Sequence, residues 1–265
     1  MIFLTIVQAI IYGVVQGIGE FLPISSTAHL VLLPWLFGWK DPGTVFDVAL
    51  HLGTSVAVIL FFWKDWIELI KNGFTNPKSK SGKLFWMVII ATIPGAVFGL
   101  VLDKYMDSFK NPALIGVMLI IMGIVLYYAD KLSRSNIKIE NIGLKRSVII
   151  GISQVLAIVP GVSRSGITMS MGRFLGMKRE DIAKFTFLLS TPIILGDAGY
   201  HLLKVAKAGT LVINTPFITA VITAAIVGLL SIKFLLDYLK ERGFGIFSVY
   251  RLIAGAAVIA IYFIR

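Results

Sequence analysis

Apolar residues in this chain run in long blocks, with none of the short alternations of a half-buried strand. Six blocks have about the 20 residues needed to cross a bilayer as single helices: Val45 to Trp63, Leu84 to Leu102, Ala113 to Ala129, Ile182 to Leu202, Pro216 to Leu236 and Phe247 to Ile264. Two further stretches, residues 1–38 and 147–176, fit poorly as crossings, because a Pro-and-Ser segment cuts each into two short pieces. Backbone opened at membrane depth is tolerated only where protein buries it or water reaches it. Both stretches therefore predict re-entrant helical hairpins whose breaks line a cavity. The first break lies within Gln16-Gly17-Ile18-Gly19-Glu20-Phe21-Leu22-Pro23-Ile24-Ser25-Ser26-Thr27-Ala28-His29, and the second within Pro160-Gly161-Val162-Ser163-Arg164-Ser165-Gly166-Ile167-Thr168-Met169.

Composition agrees with the blocks. The 265 residues are 57% hydrophobic and 15% charged, and the mean hydropathy is +0.88, far outside the soluble range. The net charge of +11 raises the question of nucleic acid. The basic residues, however, fall in particular inter-block segments and are not interleaved with aromatics on one surface, so no nucleic-acid partner is expected. The partner that the composition implies is a lipid bilayer. With no cysteine, thiolate catalysis and Cys-ligated metals are excluded. Met1 to Thr5 carry no basic n-region, and no small-residue cleavage site precedes Gln16, so no cleaved signal peptide is expected.

The charges also orient the blocks. Lys64, Lys71, Lys78, Lys80 and Lys83 mark one loop as cytoplasmic; Lys131, Arg134, Lys138, Lys145 and Arg146 mark a second; Lys233, Lys240 and Arg242 mark a third. The loops around Asp41, Asp107 and Lys207 read as outside. On this basis the first hairpin dips in from outside. The second, bounded by Lys145 and Arg146 and by Arg173, Lys178 and Arg179, dips in from inside. Each hairpin is followed by three crossings, which makes an inverted-topology repeat. The fold class expected is an all-α polytopic membrane protein, a single integral membrane domain over 1–265. Its first half spans about 1–129, a cytoplasmic linker about 130–146 and its second half about 147–265. Sequence similarity between the halves is slight: Gln16 stands seven residues before Pro23 and Gln154 six before Pro160, with Thr54-Ser55 and Ser190-Thr191 in the spans that follow.

The breaks carry the candidate chemistry. Pro23 and Pro160 disfavour helix in the residue before them, and the hydroxyl residues that follow are good N-caps, so two half-helix starts should meet at mid-membrane. Their free N–H groups together with Arg164 suit an anion with several oxygens, such as a phosphate or diphosphate. The phosphate-binding set read here is Ser25, Ser163, Arg164, Ser165 and Thr168. Hydroxyls alone would be taken as caps and packing; an arginine in hydrocarbon is costly enough to tip the reading toward function. Gln16 and Glu20, four apart, share a helix face and offer a partial ligand set for Mg²⁺ or Ca²⁺. Glu20 could instead pair with Arg164. His29 lies within a turn of Ser25 and Ser26, close enough for an imidazole to activate a hydroxyl. The catalytic set is thus Glu20, Ser26, His29 and Arg164. His51, one turn after Asp47, is ambiguous and is left outside it.

Together these residues resemble the undecaprenyl-diphosphate phosphatase family, also called the bacitracin-resistance protein family. Family members carry Glu or Gln, three residues, then Glu, which is Gln16 to Glu20 here, followed by the Pro-x-Ser-Ser-Thr-x-His pattern of Pro23 to His29. They also carry Pro-Gly-x-Ser-Arg-Ser-x-x-Thr, unbroken here from Pro160 to Thr168. The resemblance covers essentially the whole chain. It implies hydrolysis of the terminal phosphate of a C55 polyprenyl diphosphate, giving the monophosphate carrier for cell-wall precursors. It also implies a divalent cation and a site at the outer face of the cytoplasmic membrane. Bacitracin acts by sequestering that diphosphate. The matched positions Glu20, Ser26, His29, Ser163, Arg164 and Thr168 inherit the functional assignment, while Gln16 takes the less acidic of the family's two options. A homodimer is left open. The competing reading is a transporter or flippase of polyprenyl phosphate lipids, since opposed broken hairpins also build transporter sites. A structural scaffold would leave Arg164 and Glu20 unexplained, and the paired-histidine lipid phosphatases are disfavoured by a chain holding only His29, His51 and His201.

Overall fold

The computed structural model describes residues 4–102, 105, 108–133 and 136–265. The sequence expectations at Met1 to Phe3, Asp107 and Arg134 lie outside the described residues. Ten α-helices follow in order: α1 Ile6–Phe21, α2 Ser26–Phe37, α3 Thr44–Thr75, α4 Lys80–Leu102, α5 Pro112–Leu132, α6 Gly143–Ser153, α7 Arg164–Phe174, α8 Arg179–Lys207, α9 Thr215–Glu241 and α10 Gly245–Ile264. Six of them, α3, α4, α5, α8, α9 and α10, are long and apolar enough to cross a membrane. They are the six blocks read from the sequence. The two interrupted stretches form the pairs α1/α2 and α6/α7, with a 3₁₀ segment, Gln154–Ile158, ending the descent of α6.

The helices outrun the apolar blocks at several ends. Helix α3 continues twelve residues beyond Trp63, so Lys64 and Lys71 are helical, and the expected loop shrinks to the turn around Asn76–Ser79. The reason is packing. Leu69 and Gly73 stay buried beyond a kink at Phe62, and the ring of Phe85 on α4 lies where a Cβ on Gly73 would be, 2.4 Å away. Likewise α6 starts at Gly143, inside the stretch expected as linker.

Small residues set how closely the helices approach, as expected where lipid removes the hydrophobic drive for association. A Cβ on Gly17 of α1 would lie 2.8 Å from Val227 Cβ and 2.9 Å from Gly228 N of α9, and one on Gly53 of α3 would lie 2.5 Å from Val221 O. Helix α6 seats on α4 in the same manner, with Gly151 against Ala91 O at 2.2 Å. Helices α5 and α10 meet through Gly116 and Gly255. The outward faces are apolar and exposed, as at Ile93, Leu100, Ile222, Leu230 and Ile253, which suits a lipid environment.

One end of the bundle is laced together by polar contacts. Asp130 Oδ1 at the end of α5 accepts from Arg173 Nε at 3.1 Å and Arg179 Nε at 2.7 Å, and its Oδ2 accepts from Phe244 N at 3.1 Å. Lys80 pairs with Glu140 in the segment after α5, and Ile137 exchanges backbone hydrogen bonds with Gly176 and Lys178. The three positively charged segments thus share this end.

Gly151→Val puts two methyl groups where an α4 carbonyl already sits, and overpacking of this kind costs about 1–3 kcal/mol. The variant should melt measurably lower than the parent in detergent, by calorimetry or tryptophan fluorescence, with Gly99→Val, where a Cβ meets nothing within 4 Å, as the control that does not move.

Candidate active site

Both breaks end in the same local device. Ser25 and Ser163 are the only non-glycine described residues with positive φ, 78° and 72°, and each is the N-cap of the helix that follows. Ser25 Oγ accepts from Ala28 N at 3.4 Å and Ser163 Oγ from Gly166 N at 3.0 Å. The left-handed backbone, costly for a residue with a Cβ, turns the chain sharply enough to start a second helix beside the first. The first helical residues are then Ser26 on one tip and Arg164 on the other.

The tips lock together. Gly161 N donates to Ser25 Oγ at 3.2 Å, and Ser165 Oγ donates to Leu22 O at 3.1 Å. The guanidinium of Arg251, from α10, reaches between them: Nη1 donates to Pro23 O at 2.9 Å, Nη2 to Val162 O at 3.1 Å and also to Gly161 O, and Nε to Leu119 O at 3.4 Å. Three of these four carbonyls belong to the broken segments. Arg251 is fully buried, and Gly166 makes its room, since a Cβ there would lie 2.9 Å from Nη1.

On the first tip, Gln16, Glu20 and Ser26 form one hydrogen-bonded group. Ser26 Oγ donates to Glu20 Oε2 at 3.0 Å and Gln16 Nε2 donates to the same oxygen at 3.2 Å. Gln16 is fully buried and Glu20 9% exposed; the amide oxygen of Gln16 has no hydrogen-bond partner. On the second tip, Arg164 is half-buried and its Nη1 is buried with no hydrogen-bond partner. Among the described residues no ion pair joins Glu20 to Arg164, so that alternative from the sequence is not formed.

Other expected residues are engaged elsewhere. His29 does not bond to Ser26: its Nδ1 lies 2.7 Å from Ser25 O and its Nε2 2.6 Å from the Tyr250 hydroxyl. The arrangement expected from sequence, imidazole on hydroxyl, is replaced by carboxylate on hydroxyl, because the turn of α2 that carries His29 faces α10 while Ser26 faces α1. Thr168 points inward, donating to Arg164 O at 2.8 Å with Thr186 Oγ1 at 3.1 Å. Ser163 and Ser165 hydroxyls bond to each other at 3.1 Å. Gln154 does not repeat Gln16; its amide donates to Ala91 O of α4 at 3.0 Å. Clefts of about 330 and 350 Å³ lie elsewhere, the first along Phe61, Lys184 and Lys233 and the second along Pro42, Lys204 and Thr210. Neither is lined by Glu20 or Arg164. The two breaks bond directly to each other through Gly161 and Ser165.

Sequence reasoning missed Arg251 and Tyr250. Both are hidden in a block that qualifies as a crossing by composition alone. The signal that could have found Arg251 is the one that found Arg164, a lone arginine inside hydrocarbon.

The fold and site define an integral membrane protein with a buried acid, hydroxyl and guanidinium gathered at the crossing of two interrupted helical hairpins. Residues 9–257 match the sequence profile of the bacitracin resistance protein BacA family, and the chain belongs to that family. A relative named undecaprenyl-diphosphatase from Moorella thermoacetica is 50% identical over 263 residues, covering 99% of this chain and 100% of its own. One of the same name from Pelotomaculum thermopropionicum is 52% identical over 259 residues, 97% of each chain, and one from Caldicellulosiruptor bescii 47% identical over 264 residues, 99% of each.

Arg251→Met leaves the break carbonyls without their donor, and buried polar groups stranded in this way cost about 1–3 kcal/mol each. The variant should lose roughly 3 kcal/mol or more of stability in detergent, followed by thermal or SDS-induced unfolding. Arg251→Lys should recover only part, because an ammonium cannot reproduce the fork.

Proposed function

We propose that this chain is a membrane phosphatase that hydrolyses undecaprenyl diphosphate to undecaprenyl phosphate and inorganic phosphate, recycling the carrier lipid and limiting the target of bacitracin. The observation that carries the reading is the pair of tips: a hydroxyl already donating to a carboxylate on one, and an arginine with an unpartnered nitrogen at the equivalent position of the other.

In this reading the Arg164 guanidinium and the first N–H groups of α2 and α7 hold the terminal phosphate and neutralise charge in the transition state, which is most of what phosphoryl transfer asks of a protein. Ser26 Oγ attacks that phosphorus, its proton passing to Glu20. The bond from phosphorus to the bridging oxygen breaks, and the electron pair leaves with undecaprenyl phosphate. Water then hydrolyses the phosphoserine. Thr168, Ser163 and Ser165 serve by holding the Arg164 turn in shape.

The residues present fit a divalent cation in part. Gln16 Oε1 is a buried oxygen with no partner, beside the Glu20 carboxylate, and oxygen donors of this kind suit Mg²⁺ or Ca²⁺ with water and substrate phosphate completing the shell. Glu20 and Gln16 would hold it, and when bound it supplies positive charge against the diphosphate. Among the described residues no group of three acidic, His or Cys side chains could hold a metal alone.

The two halves are read as inverted repeats, with the site reached from the outer face of the inner membrane. The exchange of partners supports the repeat, since α1 packs on α9 as α6 packs on α4. So does the gathering of the positively charged segments at one end.

Glu20→Ala and Arg164→Ala should each lower phosphate release from a C55 diphosphate in detergent by about 10²–10³-fold or more, with elution and melting unchanged; near-parental turnover in either defeats the scheme. Acid quench with radiolabelled terminal phosphate should trap phosphoserine at Ser26, and full activity in Ser26→Ala would eliminate the covalent route. Gln16→Glu adds ligand charge and should lower the Mg²⁺ concentration giving half-maximal rate by roughly tenfold.

A further inference from the structure

We infer that Tyr250 is a positioning residue for the reaction, acting through His29 to hold the Ser25–Ser26 turn in register with Glu20. The inference rests on the phosphatase reading.

The hydrogen-bond pattern leaves one arrangement of protons for the neutral ring. A backbone carbonyl only accepts, so the His29 nitrogen 2.7 Å from Ser25 O, Nδ1, must carry a hydrogen. Nε2 is then the lone-pair nitrogen, and the Tyr250 hydroxyl 2.6 Å away donates to it. The two rings lie nearly parallel, 19° apart with centroids 5.7 Å apart, so phenol and imidazole fix each other in rotation. Tyr250 is 42% exposed and stands on α10 immediately before Arg251, whose guanidinium holds both tips. One helix therefore sets the position of the tips and of the ring that braces the first of them.

The bracing ends where strain is stored. The carbonyl that His29 holds belongs to Ser25, whose φ is 78° and whose Oγ receives Gly161 N from the second tip. Ser26, next in sequence, makes the bond to Glu20. A line of hydrogen bonds thus runs from the Tyr250 hydroxyl through the imidazole to the strained carbonyl beside the attacking hydroxyl. With Tyr250 occupying Nε2 and Ser25 occupying Nδ1, His29 is not the base for Ser26. Its contribution is to keep the turn from relaxing: the Ser25 carbonyl fixes the hydrogen on Nδ1, and the Tyr250 hydroxyl, donating to Nε2, holds the ring against that carbonyl. Such bracing acts on the arrangement of reacting groups and not on the grip on substrate, so its loss should appear in kcat and leave KM in place.

The test uses the purified full-length chain in detergent, with histidine rings labelled with ¹⁵N. Only His29, His51 and His201 contribute, and His29→Gln identifies the His29 signals. The parent should show His29 as the Nδ1–H tautomer. Tyr250→Phe, which keeps the ring and loses the hydroxyl, should move the His29 Nε2 signal, whose lone pair loses its donor, with melting unchanged. With a C55 diphosphate as substrate, Tyr250→Phe should lose roughly tenfold in kcat with KM within about twofold. In a His29→Ala background the same change should cost nothing further, a coupling that a merely structural role would not produce. Unchanged His29 nitrogen signals in Tyr250→Phe overturn the inference, as does an equal kinetic loss in both backgrounds or parental turnover in His29→Ala. A parent that releases no phosphate defeats the phosphatase reading instead, and the ring signals alone then decide whether Tyr250 fixes the imidazole.

Discussion

The guanidinium of Arg251 holds the carbonyls that the two broken hairpins expose, and the rest of the site depends on that contact. Breaking a helix within a membrane strands backbone oxygens that no lipid can satisfy. Pro23, Gly161 and Val162 each present such an oxygen, and one planar cation from α10 accepts the duty of all three. The same contact offsets the arginine's own cost, since a fully buried cation is expensive unless it is paired or hydrogen-bonded, and four carbonyls accept from this one. Two expensive features, open backbone and buried charge, offset one another. The geometry that results brings the tips close enough to share direct hydrogen bonds from Gly161 and Ser165.

With the tips fixed, their likeness becomes useful and their difference becomes chemical. Ser25 and Ser163 adopt the same left-handed turn and the same capping bond. Each places the next residue at the start of a helix, where unpaired N–H groups favour negative charge. One tip puts a hydroxyl there and the other a guanidinium. Glu20, on α1, closes on the hydroxyl and, among the described residues, forms no ion pair with the guanidinium. A hydroxyl bonded to a carboxylate and a guanidinium with an unpartnered nitrogen are thus delivered by one backbone device used twice.

The six crossings and the two interruptions were legible in the sequence because length, apolarity and Pro-Ser punctuation are local signals. Helix ends were less so: α3 runs on through Lys64 and Lys71 because Phe85 packs on Gly73, a contact between residues that composition cannot pair. The residue types of the site were also legible, since Glu20, Ser26 and Arg164 are polar groups in apolar surroundings. Their partners were not. The closeness of Ser26 and His29 in sequence suggested a hydroxyl-imidazole pair, yet successive helical residues point in different directions, and α1 and α10 claimed one each. Arg251 escaped notice because a single charge does little to the average of an apolar block, although its cost in that block is as large as that of Arg164.

The engaged hydroxyls bear on how such a site can be both rigid and reactive. Ser163, Ser165, Thr168 and Ser25 all spend their hydroxyls on carbonyls, caps or each other. A hydroxyl that is not satisfied by protein would be free to take other partners or to loosen the turn. With these four occupied, the buried side-chain atoms without a partner in and beside the breaks include the amide oxygen of Gln16 and a nitrogen of Arg164, one an acceptor and the other a donor. The polar atoms that pack the breaks therefore do more than fill them. By satisfying one another they leave an unmet acceptor on the first tip and an unmet cationic donor on the second.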